Sequence, residues 1–133
     1  MKQCIAHITI VVDEYDKALD FYTQKLDFEL VEDTYIPEQD KRWVLIKPPG
    51  TDGCHILLAK ASSESQLAAI GNQTGGRVGF FLYTDDFYRD YEKYKARGIK
   101  FIRPVEVHPY GTVSVFEDIY VNKWDLLEPA AKL

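Results

Sequence analysis

Few side chains in this sequence can do chemistry: three histidines (His7, His55 and His108), two thiols (Cys4 and Cys54) and a scatter of carboxylates. An imidazole can ligate a metal or carry a proton near neutral pH, and a carboxylate beside it makes it a general base. No glycine fingerprint, phosphate-loop lysine, G-x-S-x-G elbow or H-E-x-x-H pair occurs. Cys4 and Cys54 match no C-x-x-C spacing and read as reduced, strand-borne thiols. The acidic pairs Asp13-Glu14 and Asp85-Asp86 stand where helices should begin, and the positive end of a helix dipole accounts for them without catalysis. Any active chemistry therefore depends on what the fold brings to His7 and His55.

A chain of 133 residues, 46% hydrophobic and 28% charged, can bury a core without metal or disulfide staples. Its net charge is −5, with no basic cluster longer than a pair, which argues against nucleic-acid and anionic-membrane surfaces as partners. The start Met1-Lys2-Gln3-Cys4 runs directly into a strand-like segment without the apolar stretch of an export signal, so a cytoplasmic protein is expected. Aromatic residues make up 14% of the chain, a surplus that points to a pocket or an interface.

The chain repeats itself once. His7-Ile8-Thr9-Ile10-Val11-Val12-Asp13 aligns with Gly79-Phe80-Phe81-Leu82-Tyr83-Thr84-Asp85 at an offset of 72 residues. The same offset places Tyr15, Leu19 and Tyr22 on Phe87, Tyr91 and Tyr94, whose steps of 4 and 3 are an amphipathic helix stripe. Lys25 closes the first helix and Arg97-Gly98 the second. Three strand candidates follow each helix. They are Phe28 to Glu32, Trp43 to Lys47 and His55 to Ala59, then Lys100 to Arg103, Thr112 to Phe116 and Lys123 to Leu127. Turn residues Pro37 to Lys41 and Pro48 to Gly53 separate the first three. The expected architecture is α+β: two tandem βαβββ modules, 1–61 and 78–133, joined by a linker, 62–77. The linker holds a capping box at Ser63 to Gln66, a short helix at Leu67 to Ile70 and a flexible glycine-rich exit.

Strands alternate faces, so one face of each sheet packs under its helix and the other is left open. Ala6, Ile8, Ile10 and Val12 suit the helix side, leaving Ile5, His7, Thr9 and Val11 on the open face. By the offset, Val78, Phe80 and Leu82 pack inward while Arg77, Gly79, Phe81 and Tyr83 face the opening. Trp124 and Leu126 go to the core, leaving Asp125 and Leu127 on the open side, and His55, Leu57 and Ala59 share one face. Trp43 sits on a strand whose parity the sequence leaves open.

A paired βαβββ repeat of this length resembles the vicinal oxygen chelate superfamily of glyoxalase I, bleomycin-resistance proteins, fosfomycin-resistance enzymes and extradiol dioxygenases. The opening Ala6-His7-Ile8-Thr9-Ile10, the helix end Ala18-Leu19-Asp20-Phe21-Tyr22 and the run Val115 to Leu126 carry the likeness. That last run is similar to the family's F-x-D-P-x-G-N-x-x-E-L, keeping Asp118 and Asn122. Ile119 replaces the proline and Val121 the glycine, so the turn is expected to keep its course with different backbone angles. The resemblance implies curved mixed sheets that build a cup for metal and substrate.

It also implies four ligand positions, which here are His7, Leu57, Gly79 and Asp125. Two can coordinate. Asp125 is one methylene shorter than the family's usual Glu, a difference of about 1.5 Å. His55, two residues before Leu57, could raise the donor count to three. The candidate metal set is therefore His7, His55 and Asp125, for Zn, Ni, Fe or Mn, with no metal at all as the other possibility. Equally, His7 could hydrogen-bond Asp125 or a water, and His55 could be only the first residue of its strand.

Three functions are compatible with these residues. The first is a metal-free binding protein, a homodimer holding a small molecule in an aromatic-lined cup with Thr9, Trp43, Leu57, Phe81, Tyr83, Tyr110 and Leu127 as contacts. The second is a metal-dependent lyase, isomerase or dioxygenase using the same cup, or a metal-free variant in which Asp125 orients His7 as a base. The third is a dimeric scaffold whose cup meets only another chain. The resemblance favours small-molecule binding with a degenerate metal site. His108 reads as a solvated loop residue, with Tyr110 beside it at a possible cup mouth.

Overall fold

The computed structural model describes residues 1–50 and 52–131. Thr51, within the second turn segment, lies outside the described residues. The chain forms two compact units, Met1–Ile70 and Gly71–Leu133, each a helix on a mixed sheet.

In the first unit, β1 (His7–Val12) leads to α1 (Tyr15–Lys25) and then to β2 (Glu29–Ile36), β3 (Lys41–Lys47) and β4 (His55–Lys60). The sheet order is β1-β4-β3-β2, with β1 parallel to β4 and antiparallel pairing elsewhere. The helix carries the chain to the far edge, and a β2-β3-β4 meander returns it to β1. Strand β2 is longer than the sequence suggested and ends where Pro37 removes a backbone donor. The core comprises Ile10, Val12, Ala18, Tyr22, Leu26, Phe28, Val44, Ile46, Ile56 and Leu58. Ala6 and Ile8, expected inside, are exposed, Ile8 at 41%; burial along this strand begins at Ile10.

The linker helix α2 (Glu64–Ala69) belongs to this unit. Ser63 Oγ accepts the Gln66 backbone N–H, as a capping box requires. The reciprocal arm is shifted by one residue: Gln66 Oε1 accepts both the backbone N–H and the hydroxyl of Ser62.

The second unit repeats the plan with β5 (Val78–Tyr83), α3 (Phe87–Ala96), β6 (Lys100–Phe101), β8 (Gly111–Glu117) and β9 (Lys123–Pro129). An added strand, β7 (Glu106–His108), pairs with β8, so His108 is a strand-end residue and not a loop residue. Asp86 caps α3 by accepting the Arg89 N–H, and Gly98 follows the helix at φ 83°, as its sequence position implied. At the matching point after α1 the left-handed residue is Asp27, φ 60°. The core stacks Phe80 on Trp124 at 4.5 Å and Trp124 on Phe116 at 5.9 Å.

The parity expectation holds from Phe80 onward. A register shift between Val78 and Phe80 puts Val78 opposite Lys123, which leaves it half-buried instead of packed beneath the helix.

The turn 118–122 departs from expectation in an informative way. Val121 takes φ 61°, the left-handed region that glycine would fill, so the backbone does not relax to other angles. Buried Asp118 holds it there, accepting hydrogen bonds from the backbone N–H groups of Tyr120 and Asn122, the Asn122 carboxamide and the Trp124 indole. Gly71, in the glycine-rich stretch read as a flexible exit, lies against this turn at φ 73°, where an added Cβ would fall 1.9 Å from the Tyr120 carbonyl oxygen.

Candidate functional site

Cross-strand register defines the open face of the first unit. His7 lies opposite His55 and Thr9 opposite Leu57 across β1 and β4, and Leu57 lies opposite Leu45 across β3. Trp43, two residues from Leu45, therefore shares this face, which settles the parity that the sequence left open. The same register recurs in the second unit, where Phe81 lies opposite Asp125 and Tyr83 opposite Leu127. Thr9 with Leu57 and Phe81 with Asp125 are equivalent pairs of the repeat.

A groove of about 340 Å³ opens over the first sheet. Its apolar wall is Val11, Trp43, Leu57 and Ala59, with Ile36 from the end of β2. Polar groups come from Thr9, Gln39, Ser62 and Gln66, and cations from Lys41, Arg42 and Lys60. Tyr15 is a correction: the helix stripe assigned it to the core, but it lies half-exposed at the groove, its phenol oxygen accepting the Arg42 N–H. It stands at the first turn of α1, where the helix reaches the sheet margin. An outer, more polar hollow of about 430 Å³ shares Tyr15, Lys41, Arg42 and Lys60 with the groove.

Arg42 organises the mouth. Its guanidinium spans Asp33, at 2.7 and 3.1 Å, and Asp16, at 2.9 Å, and lies 5.1 Å above the Tyr15 ring. These contacts lower the Asp33 carboxyl below its ordinary value, the hydrogen bond from Arg42 being the main cause. Three elements, α1, β2 and β3, are thereby tied at one point.

The histidines form an aromatic row with Trp43. The rings of His7 and His55 are stacked, with centroids 5.5 Å apart and planes 17° apart, and the edge of one ring meets the face of the other between His7 and Trp43 at 6.0 Å. His55 Nδ1 is buried without a hydrogen-bond partner. Imidazole lone pairs lie in the ring plane, so two nearly parallel rings aim them side by side and do not converge on one ion. Leu57 fills the adjacent position, and among the described residues no group of three or more His, Cys, Asp or Glu side chains is arranged to hold a metal. The His7 and His55 rings as they stand thus do not converge on one ion, Asp125 belongs to the other unit, and no step is derived through a metal.

In the second unit Asp125 is half-buried on β9, and burial raises its carboxyl above the ordinary value while the Arg103 guanidinium acts in the opposite direction. Phe81 and Tyr83 are 64% and 53% exposed on β5, and Leu127 is buried. Tyr110 stacks on His108 at 4.9 Å, beside Glu106, which lies 3.6 Å from His108 Nε2. Gly79 falls at the register shift, and a Cβ there would meet Thr74 Cγ2 at 2.7 Å. Cys4 and Cys54 are free and exposed and precede β1 and β4, so they are not strand-borne. No helix among the described residues is long and apolar enough to cross a membrane.

Sequence reasoning missed Lys41, Arg42, Lys60, Ser62 and Gln66. The capping box was the one available signal for the last two, since it fixes where Gln66 points. The cations gave none: Lys41 and Arg42 enter the groove through the extended β2-β3 hairpin, and Lys60 from the end of β4.

Comparison with known proteins places this geometry in context. An uncharacterized protein of Shewanella frigidimarina (strain NCIMB 400) is 59% identical over 128 residues, 96% of this chain and 95% of that one. The crystal structure of UcmS2 superposes with a TM-score of 0.82 at 28% identity, covering 96% of this chain and 98% of that one. TnmS3, an antibiotic binding protein from Streptomyces sp. CB03234, gives a TM-score of 0.77 at 25% identity over 97% and 98% of the two chains. The sequence profile of the glyoxalase/bleomycin resistance protein/dioxygenase superfamily matches residues 4–126, and the chain belongs to that superfamily.

Proposed function

We propose that the protein binds a planar, largely apolar small molecule in the groove of its first unit, against the indole of Trp43. The observation that carries this reading is the groove itself, whose size falls at the lower end for ligand sites and whose wall joins one indole to aliphatic side chains. Thr9 and Leu57 contact the ligand beside Trp43. The equivalent face of the second unit carries Phe81, Tyr83 and Leu127, which with Tyr110 are further candidates for aromatic contact. The likeness to TnmS3, described as an antibiotic binding protein, supports binding as the activity.

A panel of planar aromatic antibiotics titrated against intrinsic tryptophan fluorescence tests this. Saturable quenching that disappears in Trp43→Phe is the expected result. Trp124 is buried in the second unit and stays as an internal reference. Quenching that persists in Trp43→Phe, or none with any compound, overturns the reading.

The active form we propose is a homodimer. Strand β2 is an edge strand exposed along nearly its whole length, with Leu30 and Val31 bare, and such edges are normally covered. A monomeric sedimentation coefficient would contradict this.

A further inference from the structure

The charge of the groove runs against that of the chain. With a net charge of −5 overall, the groove is lined by Lys41, Arg42 and Lys60 and by no Asp or Glu among the described residues. These three side chains also line the outer hollow, so they stand where the apolar chamber meets its mouth; the one carboxylate lining that hollow among the described residues, Asp40, accepts the Tyr35 hydroxyl.

The three are not equivalent. Arg42 is committed to Asp16 and Asp33 and is structural. Lys60 has one solvent-exposed partner, Glu14 at 3.3 Å, a kind of pair that contributes little and exchanges readily. Lys41 has no ion-pair partner among the described residues.

The neighbouring polar groups offer hydrogens. The Ser62 backbone N–H can only donate, so the Gln66 atom 2.7 Å away must be the carboxamide oxygen, and the NH2 end is left without a partner among the described residues. The Tyr15 oxygen accepts from the Arg42 N–H, which leaves its own hydrogen to donate.

We propose, resting on the binding function above, that the ligand is a small aromatic acid. Its ring lies on Trp43, and its carboxylate lies at the mouth between Lys41 and Lys60, with Gln66 and Tyr15 donating to its oxygens. A cationic ring compound would meet like charge there, and a neutral one would leave these donors unanswered.

The test follows the indole N–H resonance of Trp43, identified by its loss in Trp43→Phe, while the full chain is titrated with 2-naphthoate, 2-naphthamide or 2-naphthylmethylammonium. Naphthoate should bind about tenfold more tightly than the amide, and the ammonium compound weakest. Added salt and Lys41→Gln should each weaken naphthoate binding far more than amide binding and so remove most of the naphthoate preference. Equal affinities for the three probes, or a preference for the cation, overturn the acid assignment and leave the binding function standing. If no probe moves the resonance, both fall.

Discussion

The imidazole rings of His7 and His55 lie face to face across β1 and β4, 5.5 Å between centroids and within 17° of parallel. This arrangement presents two nitrogen lone pairs side by side and leaves Leu57 where a further ligand would stand. The protein should therefore bind no stoichiometric Zn, Ni, Fe or Mn, and His7→Ala should not change weak background binding. Elemental analysis and calorimetric titration check this; one metal per chain, lost in His7→Ala, would falsify it.

Asp118 accepts the Trp124 indole hydrogen at 3.0 Å and three further hydrogen bonds, all inside the second unit. Asp118→Ala strands four buried donors and should cost roughly 3 kcal/mol or more. Asp118→Asn retains one accepting oxygen and should fall between the two. Chemical denaturation of both variants measures the order, and an alanine variant as stable as the native chain would refute the assignment.

Gly71 and Gly75 separate conformational from steric cost. Both have positive φ, 73° and 66°, but a Cβ at Gly75 meets nothing within 4 Å while one at Gly71 runs into the Tyr120 carbonyl. Gly75→Ala should lose about 1 kcal/mol, the left-handed penalty alone, and Gly71→Ala clearly more. Matching losses in denaturant titrations would show that the close approach at Gly71 is not made.

Burial raises the Asp125 carboxyl above its usual value, so the folded chain holds that proton to higher pH than the unfolded chain does. Proton uptake therefore favours the folded state: the benefit is complete below the unfolded value and is lost as pH rises through the folded one. Asp125→Asn should raise the melting temperature near pH 7, with the advantage shrinking as pH falls toward about 4. An advantage that does not vary over this range would point to packing instead of ionisation.

The duplicated βαβββ plan was legible because it rests on local rules. The 72-residue offset, the acidic helix starts and the period-two strands each depend on neighbours a few residues away. Ile10, Val12, Trp124 and Leu126 turn inward as alternation demands. Alternation failed where geometry is not local: at the register shift near Gly79, and at Ile8, which is exposed although Ile10 and Val12 on the same face are buried.

The candidate site divides in the same way. The sequence by itself placed His7 with Thr9 on one face of their strand and His55 with Leu57 on one face of theirs, because strand parity needs no knowledge of the partner strand. Only the tertiary structure decided that Trp43 joins them, that Tyr15 leaves the core for the groove, and that Lys41, Arg42 and Lys60 meet at its mouth. Those positions depend on pairing register, on the length of β2 and on the Arg42 contacts that span three elements. Such contacts are set by groups many residues apart, and no periodicity along the chain encodes them.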